Sequence, residues 1–178
     1  MIKEIIKNKS NLKLNDINRT TRRAKVLVIN QNKFLLAHAA GDYFFIGGHI
    51  EKNETDEECL KREIKEECGT NLEIPLKKFV QIKHFEKDYP KKDINTLSIT
   101  NYYIYEGNIK INFNRTNLTE EEKVNNFELV YLDKNEVIKI LNESLKTGTR
   151  IGATIDTLEV IEEYMRIYES INNKRTMG

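Results

Sequence analysis

The stretch from Gly48 to Thr70 constrains this 178-residue chain more than any other, because it writes out one helix completely: its start, its stop and its faces. Thr55, followed three residues later by Glu58, forms a capping box in which each side chain satisfies the other's backbone N–H. Asp56 and Glu57 suit the positive N-terminal end of the helix dipole. Gly69 is the natural left-handed terminator after Cys68. Leu60 and Ile64, four apart, give the helix a narrow apolar stripe. With Leu60 set at zero on a helical wheel, Glu66, Glu63 and Glu67 fall near about 240°, 300° and 340°.

Three carboxylates therefore share one arc of roughly 100°, with Glu67 against the edge of the apolar stripe. Like charges three and four residues apart each cost a few tenths of a kcal/mol even when exposed. A carboxylate near the core costs more, or stays protonated, unless something pairs with it. A hard divalent cation removes the conflict, because Mg²⁺ takes oxygen ligands and keeps waters for substrate phosphates. In a chain with 28 acidic residues a Glu-rich face is ordinarily just solvated, so the cluster alone does not establish a metal site. The full spacing adds the rest.

Gly48, five residues, Glu54, seven residues, Arg62-Glu63-Ile64, one residue, Glu66-Glu67, one residue, Gly69: this string resembles the Nudix box. From ordinary residue frequencies, a chance match is on the order of one in a million. The resemblance implies an α/β (α+β) domain, a Nudix-type α/β/α sandwich with a mixed sheet and C-terminal helices. It implies a hydrolase that uses Mg²⁺, with Mn²⁺ as an alternative, to cleave a phosphoanhydride bond in a small nucleoside-diphosphate derivative. Glu63, Glu66 and Glu67 match the metal-binding glutamates, and Gly47 matches the position whose carbonyl joins the metal shell. Glu63 and Glu66 are also the candidate catalytic bases. Glu54 and Arg62 match a structural salt bridge, with Gly48 and Gly69 as structural glycines, and Glu51 matches a recurrent acidic position. Family members also draw a ligand or base from a later loop, where Glu121 and Glu122 stand here. Two positions depart from the pattern: Ile46 replaces the common proline and Thr70 the usual aliphatic residue. Neither is a ligand position.

The rest of the chain reads as strands around this helix. Ala24 to Ile29 and Phe34 to Ala39 look like a hairpin pair, followed by a short run at Tyr43 to Ile46. Lys78 to Glu86, Leu97 to Tyr105 and Phe127 to Leu132 follow as strands. Helices are expected from about Asn135 to Lys146, with Asp133 and Glu136 as cap and Gly148 as stop, and from about Ala153 to Ile171. That order predicts one mixed α/β domain over residues 1–178, with a polar arm at 1–21 and a tail at 172–178.

Charge and composition exclude other classes. Basic and acidic residues number 29 and 28, so there is no bulk footprint or clear patch for nucleic acid. No apolar run approaches membrane length, and Met1-Ile2-Lys3-Glu4 lacks a signal-peptide core, which predicts a cytoplasmic protein and no membrane partner. Cys59 and Cys68, on one helix, are too far apart to bridge and read as reduced thiols. His38, His49 and His84 have no metal-ligand spacing. Arg22 and Arg23 open the first strong strand and could reach a substrate phosphate, while Tyr102, Tyr103 and Tyr105 read first as strand packing. Two rival readings stay open: a catalytically silent Nudix-like nucleotide sensor, and an enzyme like isopentenyl diphosphate isomerase. The first would ordinarily lose box glutamates, which this chain keeps. The second needs a catalytic cysteine outside the helix. The resemblance leaves a homodimer open as well.

Overall fold

The computed structural model describes residues 2–72, 75–149 and 151–176, with side chains up to Tyr168. In chain order its elements are strands β1 (Lys3–Lys7), β2 (Arg19–Asn30), β3 (Lys33–Ala39) and β4 (Asp42–Phe44), helix α1 (Asp56–Cys68), strands β5 (Lys77–Glu86) and β6 (Thr96–Glu106), helix α2 (Glu120–Val124), strand β7 (Glu128–Asp133), and helices α3 (Val137–Ser144) and α4 (Ile151–Thr176). They form two compact units, one of Met1–Gln31 with Ile46–Leu118, the other of Asn32–Phe45 with Thr119–Gly178.

In the first unit β2 lies parallel to β6, β6 antiparallel to β5, and β5 parallel to β1. The sheet is mixed, so the α/β class holds. Valine and isoleucine fill β2 because it is buried along its second half: Ala24, Val26, Leu27 and Val28 are all fully buried. On the side away from β6, residues 22–26 of β2 bond to the segment that leads into α1. Isolated antiparallel bridges join Arg23 to His49 and Val26 to Ile46. Helix α1 buries Cys59, Leu60, Ile64, Glu67 and Cys68, which is the apolar stripe extended by one carboxylate and two thiols.

In the second unit β3 pairs antiparallel with both β4 and β7. Buried Asp42 ties β4 to the start of α4: its carboxylate accepts from the Thr149 N–H at 2.8 Å and the Thr154 hydroxyl at 3.1 Å. Phe34 and Tyr164 meet edge to face, with ring centroids 5.7 Å apart.

Three sequence expectations need correction. The polar arm at 1–21 contains a strand, β1, and β2 begins at Arg19 rather than Ala24. An edge strand with mostly exposed side chains has no apolar alternation to betray it; its backbone ladder to β5 defines it. Helix α3 starts at Val137, and its N-cap Glu136 makes no side-chain capping bond; Asp133 instead accepts from the Asn135 N–H at 2.9 Å. Helix α4 continues to Thr176, so its backbone runs through most of the expected tail. Among the described residues no helix is long and apolar enough to cross a membrane.

Candidate functional site

Helix α1 is fixed at both ends. The Thr55 hydroxyl accepts from the Glu58 N–H at 3.2 Å, and the Glu58 carboxylate accepts from the Thr55 N–H at 2.8 Å. Gly69 closes the helix in the left-handed region at φ 67°, donating to the Lys65 carbonyl. A third anchor holds the first turn to the sheet. Asp56 accepts from Arg22 at 2.9 Å, from the Asn101 amide at 2.6 Å and from the Tyr103 hydroxyl at 2.8 Å. The Tyr103 phenol is pushed up by burial and by its bond to Asp56.

The acidic face converges on Arg62. Its guanidinium grips Glu54 with two bonds, of 2.9 and 3.1 Å, and reaches Glu63 at 2.7 Å and Glu66 at 3.3 Å. It also donates to the His49 carbonyl at 3.0 Å, so loop and helix are pinned by one side chain. The Arg62 hydrogen bond holds the Glu54 carboxyl below the usual range. Burial pushes Glu63 the other way, against the pull of Arg62. Glu67 is 5% exposed.

The glycine pair packs against these groups. Gly47 has φ 125°, and a Cβ there would lie 2.2 Å from the Ala24 carbonyl oxygen. At Gly48 a Cβ would lie 2.1 Å from Glu63 Oε1, so the Glu63 carboxylate rests on the bare backbone of the loop. The Gly47 carbonyl accepts from the Lys25 ammonium at 3.3 Å. Arg23 stands opposite His49 on the same face of β2 as Lys25. Arg23 and Lys25, with Arg19, add to burial in lowering the His49 pKa.

The structure thus brings together Gly47, Gly48, Glu54, Arg62, Glu63 and Glu66, and separates the two arginines read as phosphate contacts. Arg22 is ion-paired with Asp56, whereas Arg23 lies beside the glycine loop. Glu51 gives its N–H to Glu54 at 2.8 Å, and its side chain is exposed. Glu122 closes a second capping box with Thr119, and Asn125 donates to the Glu121 carbonyl. His38 stacks on Tyr43 and pairs with Glu128. Sequence reasoning overlooked Lys25 as a carbonyl partner and Asp56 as an anchor. For Lys25 the alternation of β2 held a usable signal, since it places Lys25 and Arg23 on one face.

The donor chemistry suits a hard divalent cation. Glu54, Glu63 and Glu66 set three formal negative charges against the single positive charge of Arg62, an excess of two. Every side-chain donor in the cluster is an oxygen, and a main-chain carbonyl stands beside it. Among the described residues no three histidine, cysteine, aspartate or glutamate side chains already converge as a metal cage; Glu63 and Glu66 face Arg62. Both thiols are free and buried, with burial as the main cause raising Cys59 to about 11 and Cys68 to about 12. Neither is poised as a thiolate, which disfavours an isomerase-like use of cysteine.

A mixed-sheet α/β fold that presents a capped, glutamate-faced helix behind a double-glycine loop defines a hydrolase of the Nudix type. Residues 18–148 match the family model described as NUDIX domain, and the chain belongs to the Nudix family. It is similar to the NAD-capped RNA hydrolase NudC of Vibrio atlanticus (strain LGP32), at 47% identity over 51 residues, 26% of this chain and 19% of that protein. The match thus spans about a fifth of that relative's length. The solution structure of the E. coli ORF135 protein aligns with TM-score 0.54 and 15% identity, covering 89% of this chain and 97% of that one. The crystal structure of a MutT NUDIX hydrolase from Burkholderia pseudomallei aligns with TM-score 0.51 and 17% identity, covering 65% and 84%. These likenesses concern the fold.

Proposed function

We propose that this chain hydrolyses a phosphoanhydride bond in a small substrate built on a nucleoside diphosphate, with Mg²⁺ or Mn²⁺ as cofactor. The observation that carries the reading is the excess of carboxylate over cation gathered around Arg62, set against the bare Gly47-Gly48 backbone. Glu63, Glu66, Glu67 and the Gly47 carbonyl would hold the metal. When bound, it neutralises the diphosphate and polarises the phosphorus–oxygen bonds.

The remaining work falls to the chain itself. Arg62 keeps Glu54, Glu63 and the loop in register, which holds the carboxylates close to one another. Lys25 and Arg23 supply positive charge beside the loop for the phosphates. The proton lost by the attacking water goes to a box carboxylate. Glu66 is favoured over Glu63, because its side chain is 38% exposed against 13% and its bond to Arg62 is longer. The family match covers residues of both units, which supports treating them as one Nudix domain. Two free, buried cysteines suit a reducing, cytoplasmic setting.

Purified protein, screened against nucleotide sugars, dinucleoside polyphosphates, nucleoside triphosphates, nucleotide coenzymes and capped RNA, should release a nucleotide or phosphate product from at least one class when Mg²⁺ or Mn²⁺ is present. Turnover should vanish in excess chelator and return on adding metal. Full activity in chelator, or no hydrolysis anywhere in the panel, would overturn the reading.

The distal acid follows from the same proposal. Glu122 caps α2, its carboxylate accepting from the Thr119 N–H at 2.6 Å, and Glu121 is proposed as the further ligand or base on the family resemblance alone. Glu121→Gln should lower kcat and change the acidic limb of its pH profile at saturating metal. Glu122→Gln should keep the parent kinetics and lower stability by only about 0.5 kcal/mol, because the amide oxygen still closes the capping box and only the charge at the helix start is lost. Parent kinetics in both variants would place the base within the box.

A further inference from the structure

Beyond the acidic face, α1 borders a cavity of about 570 Å³ with the opposite electrostatic character. Among the described residues Lys65, Lys110 and Arg115 line it, with Thr70, Asn71 and Asn112, and no carboxylate does. On the helical wheel Lys65 points about 160° away from Glu63, so this is not the hydrolytic face.

Cations at a helix C-terminus ordinarily serve its unpaired carbonyls. Here three of the last four are already taken by backbone: Lys65 accepts from Gly69 at 3.1 Å, Glu66 from Asn117 at 2.7 Å and Cys68 from Asn112 at 2.8 Å. Among the described residues none of the three cations makes an ion pair or a side-chain hydrogen bond. Lys65 has no acidic residue three or four positions away on its helix. Like charges gathered around one concavity repel unless an anion joins them. The walls are also fixed. A Cβ at Gly69 would lie 2.1 Å from the Asn112 carbonyl oxygen, so helix end and loop are in close backbone contact.

We propose that this cavity is a second binding site, one for a small phosphate monoester or free phosphate. Its volume falls within the usual range of roughly 300–1,000 Å³ for small-molecule sites. Three cationic heads with hydroxyl and amide neighbours match a doubly charged phosphate with several acceptor oxygens. Phe113 lies between two lining residues in sequence and is 66% exposed, an aromatic surface within the same loop for a nucleobase. The site takes the phosphate of a nucleotide or inorganic phosphate, and stands apart from hydrolysis.

Calorimetric titration of the full chain in chelator, with adenosine monophosphate, inorganic phosphate and adenosine as separate probes, tests this. One or both phosphate probes should bind, more weakly at high salt, while adenosine does not. Tighter binding of the nucleotide identifies a nucleotide site, and equal binding a phosphate site. The triple variant K65Q/K110Q/R115Q should lose at least roughly tenfold in affinity. Should the triple variant fail to fold, Lys110→Gln alone, in an exposed loop, should still weaken binding by at least about threefold. Binding unchanged in these variants, binding lost instead in Glu66→Gln, or no binding of either phosphate probe overturns the proposal. So does capture of a 5′-phosphorylated oligonucleotide when both small probes fail.

Discussion

Glutamine in place of Glu66 or Glu67 is expected to lower kcat by about a hundredfold or more in a protein that stays folded. Glutamine keeps the size and an acceptor oxygen and removes the charge, so the loss would be one of metal holding and proton transfer rather than of packing. The two positions approach that loss differently. Glu66 is partly open to water and makes the longest of the Arg62–carboxylate bonds, at 3.3 Å, so its removal leaves Arg62 on Glu54, Glu63 and the His49 carbonyl. Glu67 is buried at 5% exposure, and a charge there carries a desolvation cost that the amide lacks. Stability without metal should therefore be unchanged for Glu66→Gln, and unchanged or slightly higher for Glu67→Gln. The check is kcat at saturating metal and substrate, together with urea unfolding in chelator. Near-normal turnover in either variant would mean that its carboxylate only decorates the helix.

The legibility of this site in the sequence follows the range of the interactions that build it. Thr55, Glu58 and Gly69 act on their own neighbours, so the limits of α1 could be read directly. The burial of Glu67 followed from the wheel, because three points on one helix fix a face. The contacts of Arg62 to Glu54 and of Lys25 to the Gly47 carbonyl span 8 and 22 residues, and the second exists only because the glycine segment bridges to β2. The anchor at Asp56 gathers partners 34, 45 and 47 residues away, and no local pattern could announce it. Strand β1 was hidden for a different reason. Its partner supplies the backbone ladder, so its own side chains are free to be polar.

The largest structural effect should come from the glycine pair, with the two residues failing in different ways. Gly47→Ala places a Cβ 2.2 Å from the Ala24 carbonyl oxygen and 2.9 Å from the Lys25 Cα, backbone atoms of β2 that cannot swing aside. It also puts a side chain at φ 125°, where L-residues are strained. Strain and overpacking together should cost about 3 kcal/mol or more, prying the loop from β2. Gly48→Ala meets a softer obstacle, the Glu63 carboxylate, whose Oε1 would be 2.1 Å away. A side-chain end can rotate, so stability should fall by only about 1 kcal/mol. The rotated carboxylate, however, would leave the position from which we propose it holds metal, and kcat should drop by roughly tenfold or more. Thermal unfolding and metal-saturated kinetics on both variants separate these effects. If Gly48→Ala keeps full turnover, the contact between the loop and Glu63 has no part in the chemistry. If Gly47→Ala melts with the parent, the close approach to β2 is not what holds the loop.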